Sequence, residues 1–194
     1  MFEILRSEKR MKYGAATVNG VISASAEALF AIVSDAKQHP KMAGSGQVET
    51  VEWVTPPPAQ VGSKFKAHQN MGVQYDSKST VMLCVPNRVF VWFSGVTGQP
   101  PLGQYWGFEF EPLGPSRTRV YHGMCVPIPL PNIPPFTWIA DTGAQHEVGN
   151  IKPTYEKLAQ MAGGKLEGEL SVVLAPLCSL KEILKLGDRP CGSA

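Results

Sequence analysis

One histidine stands where an imidazole can meet a small molecule. In the run Thr118–Cys125, Val120, His122 and Met124 share a parity, so a strand there puts the three on one face. If that face lines a cavity, the ring of His122 can orient a carbonyl or carry a proton near neutral pH. If the face packs a core, or the register slips by one residue, His122 is a structural histidine. Tyr75, Asp76, Tyr105 and Tyr155 are the other side chains able to offer polar groups to a ligand. A buried tyrosine satisfied by one hydrogen-bond partner is the plain alternative for each. Asp35 reads as a structural residue at a helix end.

Around these lies an apolar set. Phe65, Met82, Phe90, Trp92, Trp106, Phe108, Phe110 and Met124 fall on strand-like runs at alternating positions. Such side chains fill cores as readily as they line pockets, and the methionines suit a deformable site. Other chemistries find no motif. His146-Glu147 opens like a zinc-binding HExxH, but position 150 is asparagine. Gly44-Ser45-Gly46 lacks the third glycine and the strand-then-helix setting of a dinucleotide site. There is no phosphate-binding P-loop and no GxSxG elbow. No metal or cofactor is expected. The cysteines, Cys84, Cys125, Cys178 and Cys191, form no CxxC pair and read as free thiols.

The elements that must position these residues follow from alternation and punctuation. Residues 11–23 read as a strand, with a hairpin at Asn19-Gly20 as the competing reading. Ser25 has the place of an N-cap before a helix carrying Leu29, Phe30 and Val33 on one face. His39-Pro40 is expected to end that region, because the residue before a proline avoids the helical conformation. Strands are expected at 47–55, 63–71, 73–85, 89–96, 104–112 and 117–126. In 104–112, Trp106, Phe108 and Phe110 oppose Tyr105, Glu109 and Glu111. On the expected strand 63–71, His68 and Asn70 alternate with Phe65 and Ala67 and are expected to point outward. The proline-dense stretch 126–135 is an extended surface segment.

A long helix follows. The Thr142/Gln145 spacing suggests its capping box, and Val148, Ile151, Tyr155, Leu158 and Ala162 form its apolar stripe. Gly163-Gly164 stops it, and Pro153 predicts a kink or a late start. Ser179 and Glu182 repeat the capping-box spacing before a short helix with Leu180, Ile183 and Leu184. Strands in a run with helices held to the ends indicate an α+β domain with a meander of six or seven antiparallel strands.

The 194 residues suit one domain, and 18% charged residues against 43% hydrophobic ones are ordinary for a globular chain. The net charge of +2 is spread along the chain, which disfavours nucleic acid as a partner. No run is long enough for an integral membrane segment, and MFEILRSEKRMKYG lacks the apolar core of a secretion signal. A cytoplasmic protein is the expectation. The division reads as an N-terminal arm over 1–10, a ligand-binding domain over 11–164 and a C-terminal extension over 165–194.

Four stretches resemble the START/Bet v 1-like (SRPBCC) superfamily, within it the polyketide cyclase/dehydrase and lipid-transport group. VNGVISASAEALFAIVSD is similar to that group's opening strand and first helix. Val61-Gly62 with Phe65 resembles the strand after its first turn. Val81 to Val91 resembles its strand-proline-strand step, and YWGFEFEPLGPSRTRV its late hairpin. The likeness covers roughly residues 11–162; the 127–135 segment is richer in proline than the pattern, and 165–194 lie outside it.

The resemblance implies a helix-grip fold, in which the curved sheet wraps the long helix over an apolar cavity. It implies a small hydrophobic ligand of lipid, sterol or polyketide type, held by a carrier or sensor. Phe65, Met82, Trp92, Tyr105, Trp106, Phe108, Phe110, Met124 and Tyr155 are the expected contacts. Two further functions stay open. One is a cyclase/dehydrase-type enzyme using His122 for proton transfer; the other is an interaction module using Leu180, Ile183 and Leu184.

Overall fold

The computed structural model describes residues 11, 12, 14–100, 102–127, 130, 131 and 136–187. The expected arm over 1–10, most of the proline-dense segment and Cys191 therefore lie outside the described residues. Eight strands form one antiparallel sheet: β2 (Ala15–Ile22), β3 (Val48–Trp53), β4 (Lys64–Asn70), β5 (Gln74–Val85), β6 (Val89–Gly95), β7 (Gly103–Gly114), β8 (Arg117–Cys125) and β10 (Leu166–Val173). Their spatial order is β10-β2-β8-β7-β6-β5-β4-β3. Two short strands, β1 (Met11–Lys12) and β9 (Leu130–Pro131), pair separately. The helices are α1 (Ala26–Ser34), α2 (His39–Met42), α3 (Phe136–Met161) and α4 (Cys178–Gly187). The result is α+β, with α3 packed in the concave face of a curved sheet.

Local chemistry sets several of these boundaries. The Ser25 hydroxyl accepts from the Ala28 amide at 3.2 Å and caps α1. Asp35 ends α1 and accepts from Lys37 N and Gln38 Nε2, both at 3.1 Å, which starts a 3-10 turn over Ala36–Gln38. Asn19 and Gly20 stay within β2, paired to Tyr121 and Val120. The hairpin alternative is thus not realised, because β8 offers β2 a full-length partner.

Four expectations are corrected. His39-Pro40 does not end the helical region: His39 is itself helical, and Pro40 sits in the first turn of α2, where its missing N–H costs no bond. The long helix starts at Phe136, ahead of the Thr142 cap, and runs through Pro153. Helix α4 begins at Cys178, so Ser179 lies inside its first turn instead of capping it. Finally, the expected C-terminal extension carries a strand ahead of its short helix. Leu166–Val173 pairs with β2 and supplies a strand beyond the expected number.

The sheet is covered on both faces. Its concave side carries the main core, including Val18, Leu29, Val33, Phe90, Phe108, Phe110, Tyr155 and Leu158. Its convex side carries a second cluster, in which Leu177, Leu180 and Ile183 pack on Val91, Phe93, Tyr105 and Cys125. The apolar residues of the tail helix that formed the basis of an interaction module are thus turned onto the chain's own sheet.

Candidate functional site

A cavity of about 140 Å³ opens between the concave face, α2 and α3. The strand register explains its floor. Phe65 pairs with Ser79, Ser79 with Ser94 and Ser94 with Gln104, so a band with three polar residues crosses the concave face. Next to it runs Val81–Trp92–Trp106–Met124, and next again Phe90–Phe108–His122. Helix α2 lays His39 over Trp92, with ring centroids 4.9 Å apart. Helix α3 supplies Glu147, Asn150 and Thr154 from above.

Helix α2 is fastened to α3 at one point. Gly44 N donates to Thr154 Oγ1 at 2.9 Å, and Lys157 Nζ donates to the Ala43 carbonyl at 2.7 Å. Glycine is required at 44, since a Cβ there would lie 2.5 Å from the Asn150 carbonyl oxygen and 2.6 Å from Thr154 N. The contact falls beside Pro153, on the stretch of helix that the sequence marked as interrupted.

His122 lines the cavity and is buried. Its Nδ1 lies 2.9 Å from the Gly107 carbonyl oxygen, which can only accept. A neutral imidazole therefore carries its proton on Nδ1, leaving Nε2 as an acceptor. Burial is the main cause that lowers its pKa to about 4, against the opposing hydrogen bond to Gly107. The environment holds His122 as a fixed hydrogen-bond acceptor.

His39 repeats the arrangement. Its Nε2 lies 2.9 Å from the Val33 carbonyl oxygen, so Nδ1 is the acceptor. It is buried, lines the same cavity, and has its pKa lowered by that burial. Sequence reading passed over His39, treating it as part of a helix stop. It also passed over Ser79, whose buried hydroxyl lines the cavity and has no hydrogen-bond partner among the described residues. An orphan hydroxyl of this kind costs stability unless something meets it.

Of the expected contacts, Phe65, Trp92, Trp106 and Phe108 line the cavity together with His122. Phe110 and Met124 lie in the surrounding core. Tyr155 does too, with its hydroxyl donating to the carbonyl of Val18 and, at 3.0 Å, to that of Val120. Burial pushes this phenol well above its usual range, so Tyr155 braces α3 against the sheet and its proton is committed. Tyr105 and Met82 are corrections. Tyr105 has the opposite parity to Trp106 and packs in the convex cluster. Met82 has the opposite parity to Ser79 and Val81 and packs on that convex side as well, where a β-bulge between Val81 and Leu83 lets Leu83 join it.

At the cavity mouth, Tyr75 donates to Gln69 Oε1 at 3.1 Å. Asp76 instead accepts from His68 Nδ1 at 2.8 Å on the other face, where His68 also meets Glu49 at 3.6 Å. The site is therefore more polar than an apolar pocket: an aromatic floor with serine, glutamine and asparagine around it.

No family model matches the chain. The uncharacterized protein Rv0088 of Mycobacterium tuberculosis is 39% identical over 100 residues, 51% of this chain. The chain spans less than half of that relative's length, 42%. A START superfamily protein from Mycobacterium smegmatis is similar in structure over 78% of this chain and 98% of its own, at TM-score 0.58 and 15% identity. The di-domain aromatase/cyclase BexL of the BE-7585A biosynthetic pathway matches over 72% of this chain and 44% of its own, at TM-score 0.54 and 14% identity. Protein MLL2253 from Mesorhizobium loti matches over 76% and 95%, at TM-score 0.52 and 19% identity. With an eight-stranded curved sheet closed by one long helix over a lined cavity, the chain has the START-like, helix-grip fold.

Proposed function

We propose that this protein binds a small, mainly apolar organic molecule in the cavity between the sheet and α3, as a carrier or sensor. The observation that carries the reading is the unpartnered, buried hydroxyl of Ser79 facing a cavity floored by Phe65, Trp92 and Phe108. An aromatic pocket with a few placed polar groups is the usual form of a small-molecule site. The similar structures include a START superfamily protein and an aromatase/cyclase, which supports a ligand-holding role for the cavity.

Binding without turnover fits the chemistry better than catalysis. Among the described residues, no carboxylate hydrogen-bonds to His122, and its imidazole is a weak base. The cyclase/dehydrase reading thus has a cavity but no activated acid–base pair. Native mass spectrometry of the purified full chain, followed by solvent extraction, tests the proposal. One bound small molecule per chain, lost on denaturation, is the expected result. A mass equal to the bare chain, with no uptake from a library of apolar and aromatic compounds, overturns it.

A further inference from the structure

The two cavity histidines restrict the chemistry of the ligand. Each has one ring nitrogen held at 2.9 Å by a main-chain carbonyl, Val33 for His39 and Gly107 for His122. Carbonyl oxygens only accept, so both rings present their remaining nitrogen as a lone pair. Among the described residues neither remaining nitrogen has a protein partner. Two acceptor nitrogens on buried rings that line one cavity call for two donors from whatever fills it.

Charge and size narrow the class further. Among the described residues the lining contains no lysine or arginine, and its one carboxylate is Glu147. A carboxylate or phosphate ligand would meet two acceptor nitrogens and a like charge, with no cation to offset its desolvation. A water-sized group needs about 10–15 Å³ of such space, so a cavity of about 140 Å³ holds on the order of ten non-hydrogen atoms. The aromatic row favours a flat shape: Trp92 and Phe108 lie 17° from parallel, and Phe108 and His122 lie 6° from parallel.

We infer, on the binding reading above, that the ligand is a flat, uncharged molecule of one or two rings that donates hydrogen bonds from two separated hydroxyl or N–H groups, one to His39 and one to His122. Ser79, able both to donate and to accept, meets a third polar atom. Fatty acids and phospholipids fall outside this class, because their head groups are anionic acceptors.

Isothermal titration of the full chain with 2,6-dihydroxynaphthalene and with 2,6-difluoronaphthalene separates the alternatives. The two are close in size and shape, but only the diol donates. A purely apolar cavity favours the fluorinated probe, since its transfer from water is easier. The inference predicts the diol to bind at least tenfold more tightly, and naphthalene-2,6-dicarboxylate more weakly than either. In His39→Phe and His122→Phe, each checked for folding by circular dichroism, the diol's advantage shrinks while the fluorinated probe keeps its affinity.

If a variant fails to fold, the wild-type ratio alone decides. Equal binding, or tighter binding of the fluorinated probe, overturns the inference and leaves the binding reading intact. The same holds if neither probe binds while a co-purified anionic or purely apolar ligand is recovered. Failure of both probes with no recovered ligand overturns both.

Discussion

The imidazole of His122 lies flat against the ring of Phe108, with centroids 3.8 Å apart and planes 6° from parallel. The two residues are directly paired across β7 and β8, so the sheet register itself holds the ring. The Gly107 carbonyl, one residue along β7, then fixes which nitrogen carries the proton. Orientation and tautomer of the central polar group are both set by one strand pair. His122 is therefore held in one orientation, with Nε2 as its acceptor nitrogen.

That environment makes stability depend on pH. The folded pKa of His122 is about 4, below the 6.5 of an unperturbed histidine, and His39 is shifted in the same direction. Between these values the unfolded chain binds more protons than the folded one, so stability rises with pH through the window. The contribution is fully present above about pH 6.5 and is lost as pH falls towards 4. For His122 alone it is on the order of 3 kcal/mol. Urea midpoints measured from pH 7 to pH 4 are expected to fall accordingly, and His122→Phe is expected to flatten part of the slope. A midpoint that does not change across this range contradicts the assignment.

Tyr155→Phe removes a buried hydroxyl that satisfies two main-chain carbonyls on β2 and β8. A loss of about 1–3 kcal/mol of stability is expected. The ring stays in the core, so the cavity keeps its shape. Denaturant unfolding and ligand titration on the same sample check this, with the midpoint falling and the affinity unchanged.

Gly44→Ala places a methyl group against the Asn150 carbonyl and Thr154 amide of α3. Both contacts are backbone, so α2 must shift and take His39 with it. A cost of about 1–3 kcal/mol follows from such overpacking. Here the affinity for the ligand falls along with the melting temperature, unlike the Tyr155 variant.

Ser79→Ala separates ligand binding from stability in the other direction. The hydroxyl has no partner among the described residues, so removing it leaves stability unchanged or slightly raised. Affinity for the co-purified ligand is expected to drop by about tenfold, the worth of one hydrogen bond. Equal affinity in the variant would show that the ligand does not use Ser79.

Much of the fold was legible because strands alternate and turns are punctuated. Trp106, Phe108 and Phe110 on one face, the break between the strands at 73–85 and 89–96 and the Ser25 cap all follow from local rules. Asn87 indeed takes a positive φ of 60° between β5 and β6. What escaped depends on long-range packing. Which parity of β5 faces the cavity follows from its pairing with β6, which puts Val81 on the concave face and Met82 on the convex one, and the bulge that brings Leu83 beside Met82 has no local signal. His39 became a site residue only because α2 docks on Trp92 and Phe65, a contact with no local signal. Strand β10 pairs with β2, 144 positions apart at Leu166 and Ile22, and no periodicity announces such a partner. The apolar lining was legible as composition; the polar band of Ser79, Ser94 and Gln104 needed the register.

The most direct test of the central claim is the indole region of a ¹H–¹⁵N spectrum of the full chain, titrated with 2,6-dihydroxynaphthalene. Trp92 and Trp106 line the cavity, whereas Trp53 lies outside the lining, with its indole N–H 3.4 Å from Asp35 Oδ1. The account predicts saturable shifts of the Trp92 and Trp106 signals while Trp53 stays in place. Trp92 and Trp106 signals that do not move up to the solubility limit of the probe, or a uniform drift of all three, would contradict it.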